Sequence, residues 1–329
     1  MELNSYLTNN ISIKEKNFAL ILGENPSQGA RSPKLWNKVY RKLKKNIRMY
    51  PADINKKKLP QLIKYLKKNN NFLGGSVTMP YKEEIIRYLD NIDKDSKKIG
   101  SVNTIIKLKN KLIGFNTDYL GSLETLKDLK IKRKKNILII GCGGAGKSTI
   151  VSVLNFFKGY KFFFFNRNKK KLRKFLGKFK EIKNINIVKD HNQLCKLKDI
   201  VLVINTTSVG FDSWIRKNNK FFNLKFFSPL SKLSNINFVK KKNSNLFQKL
   251  NKSQIKKNEK ITKNFIKNNS SVKIFDIIYK PSTTKLMHSN KIKSNNINGL
   301  KMNLMQAVKG FMLVNNIKNK NLVFKVMKR

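Results

Sequence analysis

The run "NILIIGCGGAGKSTIVSVLNFF" (136–157) constrains the fold more than any other stretch. An uncharged apolar strand, a glycine-rich turn and an apolar helix follow one another without a break, the signature of a strand buried on both faces. The rhythm then repeats. "YKFFFFNRN" (160–168) reads as a second strand and "KKKLRKFLGKF" (169–179) as a helix, while "DIVLVINTTSVG" (199–210) and "VKIFDIIYKP" (272–281) read as further strands with turn residues at their ends. Strand and helix alternating in this way predict an α/β domain built on a doubly wound parallel sheet.

The glycine turn satisfies two phosphate-binding patterns at once. As G-x-x-x-x-G-K-[ST] it offers Gly141, Gly146, Lys147 and Ser148 to a nucleoside triphosphate; as G-x-G-x-x-G it offers Gly141, Gly143 and Gly146 to a dinucleotide. Both use backbone N–H groups and a helix N-terminus to hold phosphate oxygens. A P-loop further requires acidic magnesium ligation, for which Asp276 is the candidate. The compact "GCGGAG" suits the dinucleotide turn better, with Lys147 and Ser148 as first-turn helix residues and Lys147 near the pyrophosphate. Some twenty residues on, where an acid would grip the ribose of NAD, stand Asn166 and Arg167 with Lys169, Lys170 and Lys171 behind them. A guanidinium pairs with a 2′-phosphate that a carboxylate would repel, so the cofactor expected is NADP(H).

Residues before 136 read as mixed α/β. "NFALILG" (17–23) is a buried strand, "KLWNKVYRKLKKN" (34–46) has helical spacing, and "VNTIIKLKNKLIGFNTD" (102–118) alternates around "KNK" as a hairpin would. "FLGGSVTMPYKEEIIRYLD" (72–90) reads as a glycine turn, a short strand, a proline and a short helix. The Lys/Asn-rich stretch around 212–271 shows little periodicity and is expected to be a partly disordered insertion. "NGLKMNLMQAVKGFMLVNNI" (298–317) is an amphipathic helix whose Met302, Met305 and Phe311 are core candidates.

Net charge is +54, from 72 Lys and Arg against 18 Asp and Glu. The 60 residues from Asp212 to Ser271 hold 15 basic and 2 acidic residues, barely above the chain average, so the excess is spread rather than gathered into a patch. Lys, Asn, Ile and Phe are all abundant and all written with A/T-rich codons, so compositional drift accounts for the charge without a specific nucleic-acid partner. Weak, salt-sensitive binding to polyanions follows in either case. Two distant cysteines, Cys142 and Cys195, exclude a disulfide scaffold or zinc ribbon and fit a reducing compartment. No metal site is expected. The first residues lack a signal-type apolar core, and no run approaches the roughly 18 apolar residues of a membrane span, so the expectation is a soluble cytoplasmic protein, monomer or homodimer, without membrane partners.

Taken in order, "NPSQGARSP", "GGSVTMPYKE", "SVNTI…GFNTDYLG", "GCGGAG", "NRN", "NTTSVG", "DIIYKP" and "NGLKMNLMQA" resemble the shikimate dehydrogenase family along most of the chain. The resemblance implies a smaller mixed α/β substrate domain (1–117, completed by 299–329), a Rossmann-like NADP domain (118–298), and substrate bound in the cleft between them. It implies NADPH-dependent reduction of 3-dehydroshikimate to shikimate. Lys82 and Asp118 are carried over as the catalytic pair: hydride arriving at a ketone carbon leaves an oxyanion that a cation stabilises and finally protonates. Substrate contacts carried over are Ser32, Thr78, Asn103, Tyr279 and Gln306, and cofactor contacts are Gly141, Gly143, Gly144, Ala145, Asn166, Arg167, Lys171, Thr206 and Gly299.

Three positions depart from the family pattern. Ala30 replaces the first serine of S-x-S, Ser76 replaces the asparagine of G-x-N-V-T, and Trp36 stands where the family has a histidine, a change expected to concern packing. The first two bear on the acid pocket and keep a quinate/shikimate-type dehydrogenase open as the rival. From other classes, a P-loop NTP-binding protein predicts Mg²⁺-dependent nucleotide binding, and a basic binding protein that has lost activity predicts polyanion binding without NADPH oxidation.

Overall fold

The computed structural model describes residues 2–131 and 135–329. Two compact units divide the chain: Met1–Glu124, Lys147–Ser152 and Met302–Arg329 form one, Thr125–Gly146 and Val153–Lys301 the other.

The first unit begins with β1 (Asn17–Gly23), α1 (Ser32–Lys42), β2 (Ile47–Asp53), α2 (Leu59–Lys68) and β3 (Phe72–Val77). It continues with β4 (Asn91–Ile92), α3 (Lys94–Ile99), β5 (Thr104–Leu108), β6 (Lys111–Phe115) and the start of α4 (Thr117–Leu126). The strands form one sheet in the order β2-β1-β3-β5-β6-β4. β1 shows why both faces are covered. Its Phe18, Leu20 and Leu22 enter a core with Leu59, Leu62 and Leu66 of α2. Ala19 and Ile21 point the other way, into a core with Trp36, Val39 and Tyr40 of α1. The expected hairpin around "KNK" is β5–β6, turned at Lys109, whose φ is 53°.

One local reading is corrected. Gly74 and Gly75 do not make a turn; they lie inside β3. A Cβ on Gly75 would stand 1.8 Å from the Leu20 carbonyl oxygen, so the glycine is there to let β3 close on β1.

The second unit begins with β7 (Asn136–Ile140), the two ends of α5 (Gly144–Phe156, whose Lys147–Ser152 fall in the first unit), β8 (Lys161–Phe165), α6 (Lys169–Leu176), β9 (Ile185–Ile187), α7 (His191–Cys195) and β10 (Ile200–Asn205). There follow β11 (Trp214–Lys217), β12 (Lys220–Asn223), α8 (Ser244–Leu250), α9 (Lys252–Asn268), β13 (Lys273–Asp276), α10 (Lys285–His288) and β14 (Asn296–Asn298). Its sheet runs β14-β13-β10-β7-β8-β9, every pair parallel. Counted from β7, that is the 3-2-1-4-5-6 order of the Rossmann fold, with the reversal of strand order beside β7. α11 (Leu300–Asn315) and α12 (Lys320–Lys328) end the chain, and from Met302 onward they belong to the first unit. Met302, Met305 and Phe311 are buried, as the amphipathic pattern predicts.

The stretch around 212–271 is ordered, contrary to the expectation of partial disorder. β11 and β12 form a hairpin turned by Asn218 and Asn219, both at positive φ (48° and 56°). Phe226, Phe227, Val239 and Phe247 build a small core of their own beneath α8 and α9.

Candidate active site

Backbone pairing alone collects the predicted catalytic residues at one edge of the first sheet. β1 and β3 are parallel, and beyond the end of β3 the Thr78 N–H donates to Leu22 O at 2.8 Å. β5 runs antiparallel to β3, so its start lies beside the end of β3: Ser76 is paired with Thr104, and Val77 N–H donates to Asn103 O at 2.8 Å. β6 returns to the same edge, where Asn103 N–H donates to Phe115 O at 3.0 Å. Residues 78, 82, 103 and 116–118 therefore converge although forty residues of sequence separate the first from the last. This is the edge at which open α/β sheets take ligands.

Lys82 Nζ lies 2.7 Å from Asp118 Oδ2, the Lys side chain 19% and the Asp side chain 6% exposed. The other Asp118 oxygen accepts from Asn103 Nδ2 at 2.9 Å. The same Asn103 amide donates to Gln306 Oε1 at 3.2 Å, and its own oxygen accepts the Thr117 N–H at 2.7 Å. Thr117 Oγ1 in turn donates to Gln306 O at 3.1 Å. Lys82, Asp118, Asn103 and Gln306 are thus brought together, with Thr117 clamping them. The "GFNTD" motif already contained Thr117, but its hydroxyl gave no sign in sequence of reaching α11.

The placement of Lys82, a candidate catalytic residue, differs in detail from the sequence reading. Lys82 lies in a turn, ahead of a 3-10 segment at Glu84–Tyr88, and not at a helix start. Its carbonyl accepts the Val102 N–H at 2.7 Å, which ties it to the approach of β5 rather than to a following turn of helix. Asp118 sits in the first turn of α4.

The remaining substrate candidates have separate settings. Ser32 is buried at the start of α1. Thr78 is half-buried and crowds Gly23, where an added Cβ would lie 2.4 Å from its Cγ2. Tyr279 belongs to the second unit, its ring 6.4 Å from that of Phe211 in an edge-on contact. Trp36 is fully buried, donates Nε1–H to Ala307 O at 3.1 Å and packs edge-on against Phe311, the packing role expected of it.

At the glycine turn only Gly141, Cys142 and Gly143 separate the end of β7 from α5. Gly141 has φ 107°, and a Cβ there would lie 2.5 Å from Thr206 Oγ1. A Cβ on Gly146, inside α5, would lie 2.7 Å from the same oxygen. Thr206, pinned by a 2.9 Å bond to Ile140 O, is what the two glycines make room for. Gly143 is the opposite case, with nothing within 4 Å of an added Cβ. Gly144 and Ala145 form the first turn of α5. At the end of β8, Asn166 donates to Asn168 O at 2.8 Å, Asn168 caps α6 by accepting the Lys171 N–H, and Arg167 is exposed with no ion pair among the described residues. Gly299 lies where an added Cβ would meet Ile277 O at 1.8 Å, a packing demand that its motif did not reveal.

This geometry speaks against the P-loop. Its second glycine, Gly146, is packed inside a helix, Ser148 is buried and donates to Asn116 Oδ1 at 3.0 Å, and Lys147 pairs with Glu83 at 2.8 Å. Asp276, the candidate magnesium ligand, is completely buried and bonded to Asn205, Thr284 and the Ile278 N–H. Burial raises its pKa to about 7 against those three donors.

Residues 21–105 match the shikimate dehydrogenase substrate binding domain. A shikimate dehydrogenase (NADP(+)) of Clostridium botulinum (strain Loch Maree / Type A3) is 34% identical over 226 residues, 65% of this chain and 83% of that protein. The chain belongs to the shikimate dehydrogenase family. The shikimate dehydrogenase (NADP(+)) of Carboxydothermus hydrogenoformans is 28% identical over 290 residues, 87% of each chain. The crystal structure of shikimate dehydrogenase from Aquifex aeolicus superposes with a TM-score of 0.69 at 25% identity, covering 97% of this chain and 100% of that one. Membership accounts for the two kinds of sheet found here, a mixed one carrying Lys82 and Asp118 and a parallel one carrying the glycine turn. No helix among the described residues is long and apolar enough to cross a membrane.

Proposed function

We propose that the chain catalyses the NADPH-dependent reduction of 3-dehydroshikimate to shikimate, a cytoplasmic step toward aromatic amino acids, with Lys82 and Asp118 as the catalytic pair. The observation that carries this reading is the half-shielded Lys82–Asp118 pair, 2.7 Å apart at the ligand-binding edge of its sheet, in a chain of this family.

NADPH, when bound, supplies the hydride. The glycine turn and the N-terminus of α5 at Gly143, Gly144 and Ala145 fit its pyrophosphate by position, and Asn166, Arg167 and Lys171 fit the 2′-phosphate, with Gly141, Thr206 and Gly299 shaping the site. Lys82 directs its ammonium at the ketone oxygen, stabilises the negative charge that grows there and transfers a proton to it. Asp118 holds the ammonium, and Asn103, by donating to the other carboxylate oxygen, holds Asp118. Ser32, Thr78, Asn103 and Gln306, all of the first unit, contribute neutral groups that can both give and accept hydrogen bonds, which matches a small polyhydroxylated acid.

The test is the loss of nicotinamide absorbance when 3-dehydroshikimate is added to enzyme and NADPH. Turnover with 3-dehydroshikimate, and far slower turnover with NADH, supports the assignment. Silence with that substrate but turnover with 3-dehydroquinate assigns the quinate-type rival.

A further inference from the structure

The second unit holds a cavity of about 200 Å³ between α7, the segment 227–236 and α9, and none of the substrate or cofactor candidates lines it. Its walls are tied together on both sides. Cys195 Sγ donates to Leu230 O at 3.3 Å, which fixes the segment to α7. The Ser228 N–H donates to Asn258 Oδ1 at 2.8 Å and Asn258 Nδ2 donates back to Ser228 O at 3.0 Å, which fixes it to α9. The polar groups of this frame are satisfied by one another, so the frame stands without a ligand. The lining itself divides by chemistry. Phe227, Leu233, Ile236 and Ile261 give it apolar sides. Lys232 and Lys257 line it and are exposed, so they stand at its rim, and neither forms an ion pair among the described residues. No Asp or Glu lines it. The acids that flank lining residues are engaged elsewhere: Asp190 accepts the Gln193 N–H as the cap of α7, and Glu259 pairs with Lys285 at 2.7 Å. His191 is half-buried with its ring edge-on to Phe165 at 4.5 Å, and its nitrogens form no hydrogen bond among the described residues. Burial, and then the charge of Lys232, hold its pKa below the usual histidine value, so the ring is neutral and keeps one N–H to donate.

We propose that this cavity binds a small aromatic carboxylate, with the ring among the apolar side chains and the carboxylate held by Lys232, Lys257 and His191. Apolar walls with a few convergent polar groups are the form that small-molecule sites take. Size sets the class: an apolar cavity of about 150 Å³ holds benzene, so one of about 200 Å³ takes a single ring with a carboxylate beside it. Phe227 and His191 give a flat ring two aromatic neighbours. Two unpaired ammonium groups and a neutral N–H donor, with no acid in the lining, select an anion over a cation or a neutral molecule.

The experiment titrates benzoate into the full chain at about 0.15 M salt, by calorimetry and by following the ring protons of the two histidines, His191 and His288. Saturable one-to-one binding is expected, with Kd of about 1 mM or tighter and a shift at His191 that His288 does not share. Acetate keeps only the charge and benzyl alcohol only the ring, and each should bind at least about tenfold more weakly. Lys232→Met with Lys257→Met, both at exposed positions, should weaken benzoate about tenfold while leaving the melting midpoint unchanged. Saturating NADPH should leave benzoate bound. Non-saturating binding, equal shifts at both histidines, or undiminished affinity in the folded lysine variant makes benzoate one more counter-ion of a highly charged chain and overturns the proposal. Competition with NADPH puts the cavity inside the cofactor site and overturns it equally. None of these readouts requires turnover, so failure here leaves the enzyme assignment untouched.

Discussion

Replacing Lys82 by Met tests the catalytic pair in two independent currencies, stability and rate. The two charged groups are 2.7 Å apart and their side chains are 19% and 6% exposed, so solvent screens them little. At an effective dielectric of about 20 their attraction is about 6 kcal/mol, opposed by the cost of taking both out of water. Lys82→Met leaves the Asp118 carboxylate bonded to the Asn103 amide and without its cation. The loss in unfolding free energy should then be about 3–5 kcal/mol, the range for an uncompensated buried charge. Lys82→Met with Asp118→Asn removes both charges and should recover much of that loss, giving a coupling energy above about 1.5 kcal/mol in a double-mutant cycle. Activity should not recover: each single variant and the double should lose about 10²–10⁴ in kcat, because no ammonium remains on the growing oxyanion or none is held in place. Denaturant melts give the first quantity and NADPH absorbance the second, with cofactor binding preserved throughout. A coupling below about 0.5 kcal/mol, or a double variant that regains turnover, refutes the assignment of these two residues as a buried working pair.

Asp276 gives the chain a pH-dependent stability. Its folded pKa is raised by burial from 3.8 to about 7, so the unfolded chain releases this proton first and stability falls as pH climbs from about 4 to about 7. The slope should approach about 1.4 kcal/mol per pH unit, and Asp276→Asn should flatten it; parallel midpoint-versus-pH curves for the two proteins contradict the point. Arg167→Asp should cut the NADPH-over-NADH preference about 10- to 100-fold in kcat/KM, and an unchanged ratio would place the 2′-phosphate elsewhere. Gly143→Ala meets no atom within 4 Å and sits at φ −80°, so stability should stay within about 0.5 kcal/mol while KM for NADPH rises; unaltered cofactor affinity would show that phosphate does not approach there.

Much of this was written plainly in the sequence. β7, the glycine turn and α5 could be read because a fully buried strand and a glycine forced to φ 107° leave few alternatives. The proposed catalytic side chains were legible as motif residues, but their meeting was not, since it depends on β5 and β6 reversing direction beside β3. The stretch around 212–271 was misread for a physical reason. α9 buries Asn258 and Thr262 on the face it shares with Phe265 and Ile266, so polar residues interrupt its apolar period. They are tolerated because Asn258 exchanges hydrogen bonds with the Ser228 backbone at 2.8 and 3.0 Å and Thr262 donates to Asn258 O. A signal was available in "RKNNKFF": two adjacent asparagines between alternating residues suit a two-residue turn with both φ positive, as Asn218 and Asn219 show. Gly74 and Gly75 misled in the opposite direction, because close strand approach and a turn ask for the same residue.

The central claim is a hydride delivered from NADPH to a ketone carbon whose oxygen Lys82 protonates. Incubating the enzyme with 3-dehydroshikimate and NADPH deuterated at either C4 position, then weighing the product by mass spectrometry, reads that transfer directly. One of the two cofactor epimers should yield shikimate one mass unit heavier, with the label on the carbon bearing the new hydroxyl. Unlabelled product from both epimers, or no product at all, would contradict it.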